Sequence, residues 1–154
     1  MAEALAKSMH VAYVTSDIEH AQQVFTERLG LDSFDTFEPT LELTGADGPP
    51  VTRLTASFTT TDSRVFELIQ PAPGAHPAFS DPLAGASGDV AIFHHVGTQI
   101  SDPQAVEAFL ESAGESGLPV VRFALPDFGA DAVFVDMRGV VGHWLEVLCV
   151  RRHS

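Results

Sequence analysis

His10-Val11-Ala12-Tyr13-Val14-Thr15-Ser16-Asp17 stands near the start of the chain, and His95-Val96-Gly97-Thr98-Gln99-Ile100-Ser101-Asp102 stands in its second half. The two stretches lie 85 residues apart and share His, Val, Ser and Asp without a gap. Self-similarity at one offset marks a repeated structural unit. Each copy opens as a short strand and runs into a helix start. In the first copy Ser16 precedes Asp17, Ile18 and Glu19 as a capping box, and Ile18, Ala21, Val24, Phe25 and Leu29 recur at helical spacing. Gly30 ends that run. In the second copy Asp102 caps, Pro103 suits the first helical position, and Val106, Phe109, Leu110 and Ala113 form the apolar stripe.

Strand-like stretches follow each helix, at 41–44, 52–59 and 65–70 in the first half and at 120–123, 131–136 and 144–150 in the second. Each half thus reads strand, helix, three strands. The expectation is an α+β fold of two βαβββ modules in a single domain over 1–154, with module 1 at about 9–70 and module 2 at about 90–150. Residues 71–89, rich in Pro, Ala, Gly and Ser, read as the linker between them. The repeat extends to the last strands, where Phe66-Glu67-Leu68 matches Leu145-Glu146-Val147. Each module therefore delivers one His from its first strand and one Glu from its last.

Alternation along a strand puts Phe66 and Leu68 on one face and Glu67 on the other, and separates Leu145 and Val147 from Glu146 in the same way. With the apolar faces packed under the helices, both carboxylates project from the opposite face of the sheet. A carboxylate in an otherwise apolar strand loses hydration, and a divalent cation offsets that loss while holding two carboxylates together. Taken singly, a His or a Glu near a strand end is a solvated polar residue. Four of them at matching points of a repeat read as one metal site of His10, Glu67, His95 and Glu146. Two imidazoles and two carboxylates suit Zn, Ni, Co, Mn or Fe(II). Of the neighbouring pair His94 and His95, the repeat selects His95 as the partner of His10, leaving His94 to packing. His143 has the wrong strand parity and reads as a rim residue, and His20, His76 and His153 read as solvated.

Bulk composition is that of a globular protein. The 154 residues are 45% hydrophobic and 19% charged. The single cysteine, Cys149, excludes an intrachain disulfide and a thiolate zinc cluster. Eight Lys and Arg against 21 Asp and Glu give a net charge of −13, which repels nucleic-acid phosphates. Neither a signal peptide nor a membrane-spanning run is read in the sequence, so the expected location is cytoplasmic, with no membrane partner.

On these motifs, together with His94-His95-Val96-Gly97 and Gly142-His143-Trp144-Leu145-Glu146-Val147, the chain resembles the vicinal oxygen chelate superfamily from about Met9 to Val150. That superfamily includes glyoxalase I, methylmalonyl-CoA epimerase, extradiol dioxygenases and fosfomycin-resistance proteins. The resemblance implies sheets curled around a shared cavity and one divalent metal ion on the four residues named. It also implies a homodimer, which unpaired sheet edges would favour. The implied activity is an isomerase, epimerase or lyase acting on a small molecule, by proton abstraction next to a metal-chelated carbonyl through an enediolate or enolate. Glu146 and Glu67 are the candidate catalytic bases. Glu146 is preferred, because Trp144 shares its strand face and would help to desolvate it.

The turn before the last strand is commonly Asp-Pro-x-Gly in these proteins, but here it runs Asp136-Met137-Arg138-Gly139-Val140-Val141-Gly142-His143. Arg138 in that turn is a candidate carboxylate anchor. Phe123, Phe128, Phe134 and Trp144 suggest an aromatic cavity wall, with Trp144 the candidate substrate contact. The alternatives within the same resemblance are an extradiol ring-cleaving dioxygenase, which uses two His and one carboxylate, and a non-enzymatic binding or resistance protein.

Overall fold

Strand and helix follow one another in the order that the repeat implies. The computed structural model describes residues 1–8, 10–45 and 47–150; His153 lies outside them. After a short helix α1 (Ala2–Ala6), the first half contains β1 (His10–Val14), α2 (Ile18–Leu29), β2 (Asp35–Phe37), β3 (Thr40–Thr44), β4 (Val51–Thr60) and β5 (Val65–Pro71). Helix α3 (Pro77–Ala84) lies between the halves. The second half contains β6 (Ile92–Ile100), α4 (Pro103–Glu115), β7 (Val120–Leu125), β8 (Ala130–Asp136), a short helix α5 (Arg138–Val141) and β9 (Trp144–Val150). A 3₁₀ turn over Pro126–Phe128 joins β7 to β8.

The strands close on themselves. Module 1 runs β1-β5-β4-β3 and module 2 runs β6-β9-β8-β7, the same order in each. Two antiparallel seams join them: β1 on β6, with His10 opposite Gly97 and Ala12 opposite His95, and β3 on β7, with Leu43 opposite Phe123. Strand β5 also pairs with β4, so eight strands form a continuous ring with β2 added beside β4. Closure pairs the edges of the two modules with each other and leaves β2 as an edge strand.

Alternation sorts the side chains as expected. Leu68 turns outward under Ile18, Ala21 and Phe25 of α2, and Leu145 and Val147 turn outward under Phe109 and Ala113 of α4. The opposite faces of the same strands look into the ring. There Phe79 from α3 joins Phe123, Phe134 and Trp144 in a second core. Burial of this much apolar surface on both sides of the sheet is the main stabilising term.

Three local expectations are corrected. The cap of α2 is Asp17, not Ser16: the Asp17 carboxylate accepts from the His20 N–H at 3.0 Å. The 71–89 connection is not wholly irregular, because its Pro-rich segment contains α3, with Pro77 at its first position. His76 is not solvated. It is 7% exposed and caps α3, its Nδ1 accepting from the Ala78 N–H at 3.1 Å. Among the described residues no helix is long and apolar enough to cross a membrane.

Candidate metal centre

The β1–β6 seam brings the four repeated residues together. His10 opens β1 and faces Gly97 across the seam, while Glu67 on β5 sits beside Ala12 and Glu146 on β9 beside Gly97. His10 Nε2 is 2.6 Å from Glu67 Oε2, and His10 Nδ1 is 3.5 Å from Glu146 Oε2. His95 Nε2 is 3.2 Å from Glu146 Oε2 and 3.6 Å from Glu67 Oε2. All four side chains come from one chain, so the cluster needs no second copy to complete it. Gly97 makes room for it: a Cβ there would lie 3.0 Å from both Glu146 Oε2 and His10 Nδ1.

A chain of hydrogen bonds sets the proton on His95. The Ala78 carbonyl can only accept, so His94 donates to it from Nε2, at 2.8 Å. Burial, then the neighbouring His95, pushes the His94 pKa down to about 3, so the ring is neutral and its Nδ1 is a bare acceptor. His95 must then donate from Nδ1 to His94 Nδ1, at 2.7 Å. Burial, then His10, likewise pushes His95 down to about 3. The neutral His95 is thereby held in the tautomer whose Nε2 lone pair faces the cluster.

That lone pair is an orphan. His95 Nε2 and Glu146 Oε2 are buried, face each other at 3.2 Å, and neither makes a hydrogen bond. Two electron-rich atoms without a shared proton are costly in a desolvated place. A cation between them would satisfy both, and the ligand atoms of His10, His95 and Glu146 lie within 4.8 Å of one another. The remaining charges point the same way. Burial raises the Glu146 pKa despite the pull of His10 and His94. Burial also opposes charge on His10, but the Glu67 carboxylate overrides it and raises the ring to about 9. Without a cation, the site holds a proton on His10 in its place. The donor set therefore fits a divalent ion.

The cluster forms one wall of a cavity of about 640 Å³. Phe128 and Phe134 line it as the sequence suggests, whereas Phe123 is fully buried behind the lining. Trp144 and Arg138 are not among its lining residues. Trp144 is 4% exposed and packs in the core, nearly parallel to His94 at 6.3 Å. The Arg138 guanidinium lies over the Trp144 ring and is tied at 2.7 Å to Asp136. The longer turn forms α5, which carries Arg138 to that outer position. His143 sits against Phe93, and His20 is exposed. Sequence reading missed Gly97, Leu54, Phe58 and Ile69 as cavity residues. Alternation along β4 and β5 contained the signal for the last three, because Ile69 shares the parity of Glu67, and Leu54 that of Phe58.

Comparison with known proteins gives the family and the fold. The family model described as Glyoxalase/Bleomycin resistance protein/Dioxygenase superfamily matches residues 9–138. No curated protein matches the chain. A hypothetical protein from Bacillus halodurans superposes with a TM-score of 0.57 at 16% identity, over 96% of this chain and 95% of that one. Methylmalonyl-CoA epimerase from Mycobacterium tuberculosis gives 0.55 at 13% identity, over 94% and 87%. A Streptomyces coelicolor methylmalonyl-CoA epimerase variant in complex with 2-nitronate-propionyl-CoA gives 0.52 at 17%, over 94% and 96%. At these identities the likeness is one of fold. With the family model matching most of its length, the chain belongs to the glyoxalase/bleomycin resistance protein/dioxygenase superfamily, the vicinal oxygen chelate group that its repeat resembles.

Proposed function

We propose that the protein is a metal-dependent enzyme that moves a proton at a carbon next to a substrate carbonyl, with His10, Glu67, His95 and Glu146 holding one divalent ion. The observation that carries this reading is the unpartnered His95 Nε2 facing the unpartnered Glu146 Oε2 at 3.2 Å. Bound there, a divalent ion supplies Lewis acidity toward two neighbouring substrate oxygens. The chain's own residues supply the rest. Apolar walls surround the site, and burial raises the proton affinity of Glu146, which suits a carboxylate that must accept a carbon-bound proton. Glu67 reaches the same centre from the other module, so a proton taken by one carboxylate can be returned by the other, giving epimerisation or isomerisation.

Elemental analysis of protein purified without chelator should find close to one divalent ion per chain, with His10→Ala and His95→Ala depleted. Equal metal in all three removes the site. Incubation with 2-oxo, 2-hydroxycarbonyl and thioester compounds in deuterated water should give metal-dependent deuterium uptake with at least one. Glu146→Gln should suppress that uptake more than metal binding, because an amide oxygen can still ligate but cannot take the proton.

One contact favours a second reading. Glu67 is hydrogen-bonded to His10 at 2.6 Å. If it stays there, the ligands reduce to two His and one carboxylate, the set used by non-haem iron oxygenases. Oxygen uptake by an iron-loaded sample supplied with a catechol would replace the isomerase reading with that one.

A further inference from the structure

We infer that the cavity takes an uncharged, aromatic small molecule, and not a phosphorylated or coenzyme A-linked one. This rests on the reading of the four residues as a metal site. Apart from those four, the lining is apolar except for Thr98 and Gln99. Leu54, Ile69, Phe79, Ala132, Phe134 and Leu148 form its deeper walls. Among the described residues no Lys or Arg borders it. The nearby arginines are already engaged, Arg122 with Asp131 at 2.7 Å and Arg138 with Asp136 at 2.7 Å. Arg53 on β4 has the opposite parity to Leu54 and Phe58 and is exposed.

Charge balance then defines the ligand. Two carboxylates and two neutral imidazoles around one divalent ion leave a neutral floor. A phosphate or a free carboxylate entering this space would lose its hydration, and among the described residues no Lys or Arg borders the walls to receive its charge. An uncharged ligand loses little and covers apolar wall instead. The volume, about 640 Å³, suits a compact organic molecule. Aromatic recognition is built where the lining reaches solvent. Phe37 stacks on Phe58 at 5.1 Å and 7°, and Phe128 leans on Phe37 at 5.4 Å. Phe37 and Phe128 are 36% and 52% exposed, an arrangement that leaves ring surface for a ligand ring to cover.

The test uses full-length zinc-loaded protein and 1-phenylpropane-1,2-dione, a neutral phenyl-bearing vicinal dicarbonyl, with coenzyme A as the anionic comparator. Calorimetry should show saturable binding of the dione that excess coenzyme A does not displace. Phe37→Ala, at a half-exposed position, should weaken the dione about tenfold while leaving metal content unchanged. Tighter binding of coenzyme A than of the dione overturns the inference. So does coenzyme A binding that an Arg151→Ala, Arg152→Ala double variant abolishes, since the anion would then be held by the C-terminal arginines. Metal-loaded protein that ignores the dione sinks the ligand class and leaves the metal site standing. Dione binding to protein that takes up no metal does the reverse.

Discussion

His94 touches neither the cavity nor a carboxylate, yet it decides which nitrogen His95 presents. Its ring lies nearly parallel to Phe79 at 5.2 Å and to Trp144 at 6.3 Å, so it cannot turn away from the Ala78 carbonyl. His94→Leu should therefore lower metal affinity by roughly 10–100-fold, the usual cost of losing an outer partner of a ligating imidazole. His94→Gln should retain most of it, because one amide can accept from His95 and donate to Ala78. Competition against a chromophoric chelator reads both variants, and equal affinity in His94→Leu and wild type would show that His95 needs no such support. Gly97 is the other residue whose role is set by space. Gly97→Ala should fold but bind metal roughly tenfold more weakly, because the added methyl displaces His10 and Glu146. The same titration checks it.

At the scale of elements, one helix start separates the sequence pattern from the built structure. Ser16 and Asp17 are both good caps, and the capping-box spacing favours Ser16. The structure uses Asp17, whose backbone is extended at φ −146° while Ile18 begins the helix. Asp17→Ala should cost about 1 kcal/mol in urea unfolding, whereas Ser16→Ala, at an exposed position, should stay within about 0.5 kcal/mol. The reverse ranking would return the cap to Ser16. The strands were easier to read. β9 begins and ends where alternation in Trp144-Leu145-Glu146-Val147-Leu148-Cys149-Val150 places it. β2 was invisible because three exposed residues, Asp35 to Phe37, carry no alternation to detect.

The whole molecule couples its stability to the centre. An imidazole titrates near 6.5 in the unfolded chain, but His94 and His95 are held down to about 3 in the fold. Below pH 6.5 the unfolded chain binds protons that the fold refuses, so the metal-free protein loses up to about 1.4 kcal/mol per pH unit for each ring. Glu146, raised by burial, acts in the opposite sense there but is one group against two. His10, raised to about 9, adds stability that is complete below pH 6.5 and lost as the pH climbs through 9. Thermal melts of chelator-treated protein should accordingly peak near pH 6.5 and fall toward pH 5 and pH 9. A flat profile would mean that the rings are not buried as described. Light scattering should show the homodimer that the family resemblance implies, at twice 16.4 kDa, and a species of 16.4 kDa alone would contradict it.

What the sequence by itself determined was the repeat, and with it the module order and the four residues. Periodicity and offset are properties of the chain, and they survive whatever the modules do in space. Alternation even assigned Glu67 and Glu146 to the inner face. The meeting of those faces was decided by tertiary structure alone. Which strands form the seams depends on packing between modules, and no local pattern encodes that His10 should face Gly97 or that β3 should reach β7. Arg138 and Trp144 illustrate the same limit. Their positions beside the last strand suggested the cavity, but the turn folded into α5 and drew the guanidinium over the indole, with Asp136 as its counter-ion. The Ala78–His94–His95 relay joins α3 to β6 across 16 residues, and only the folded backbone sets the carbonyl at its end.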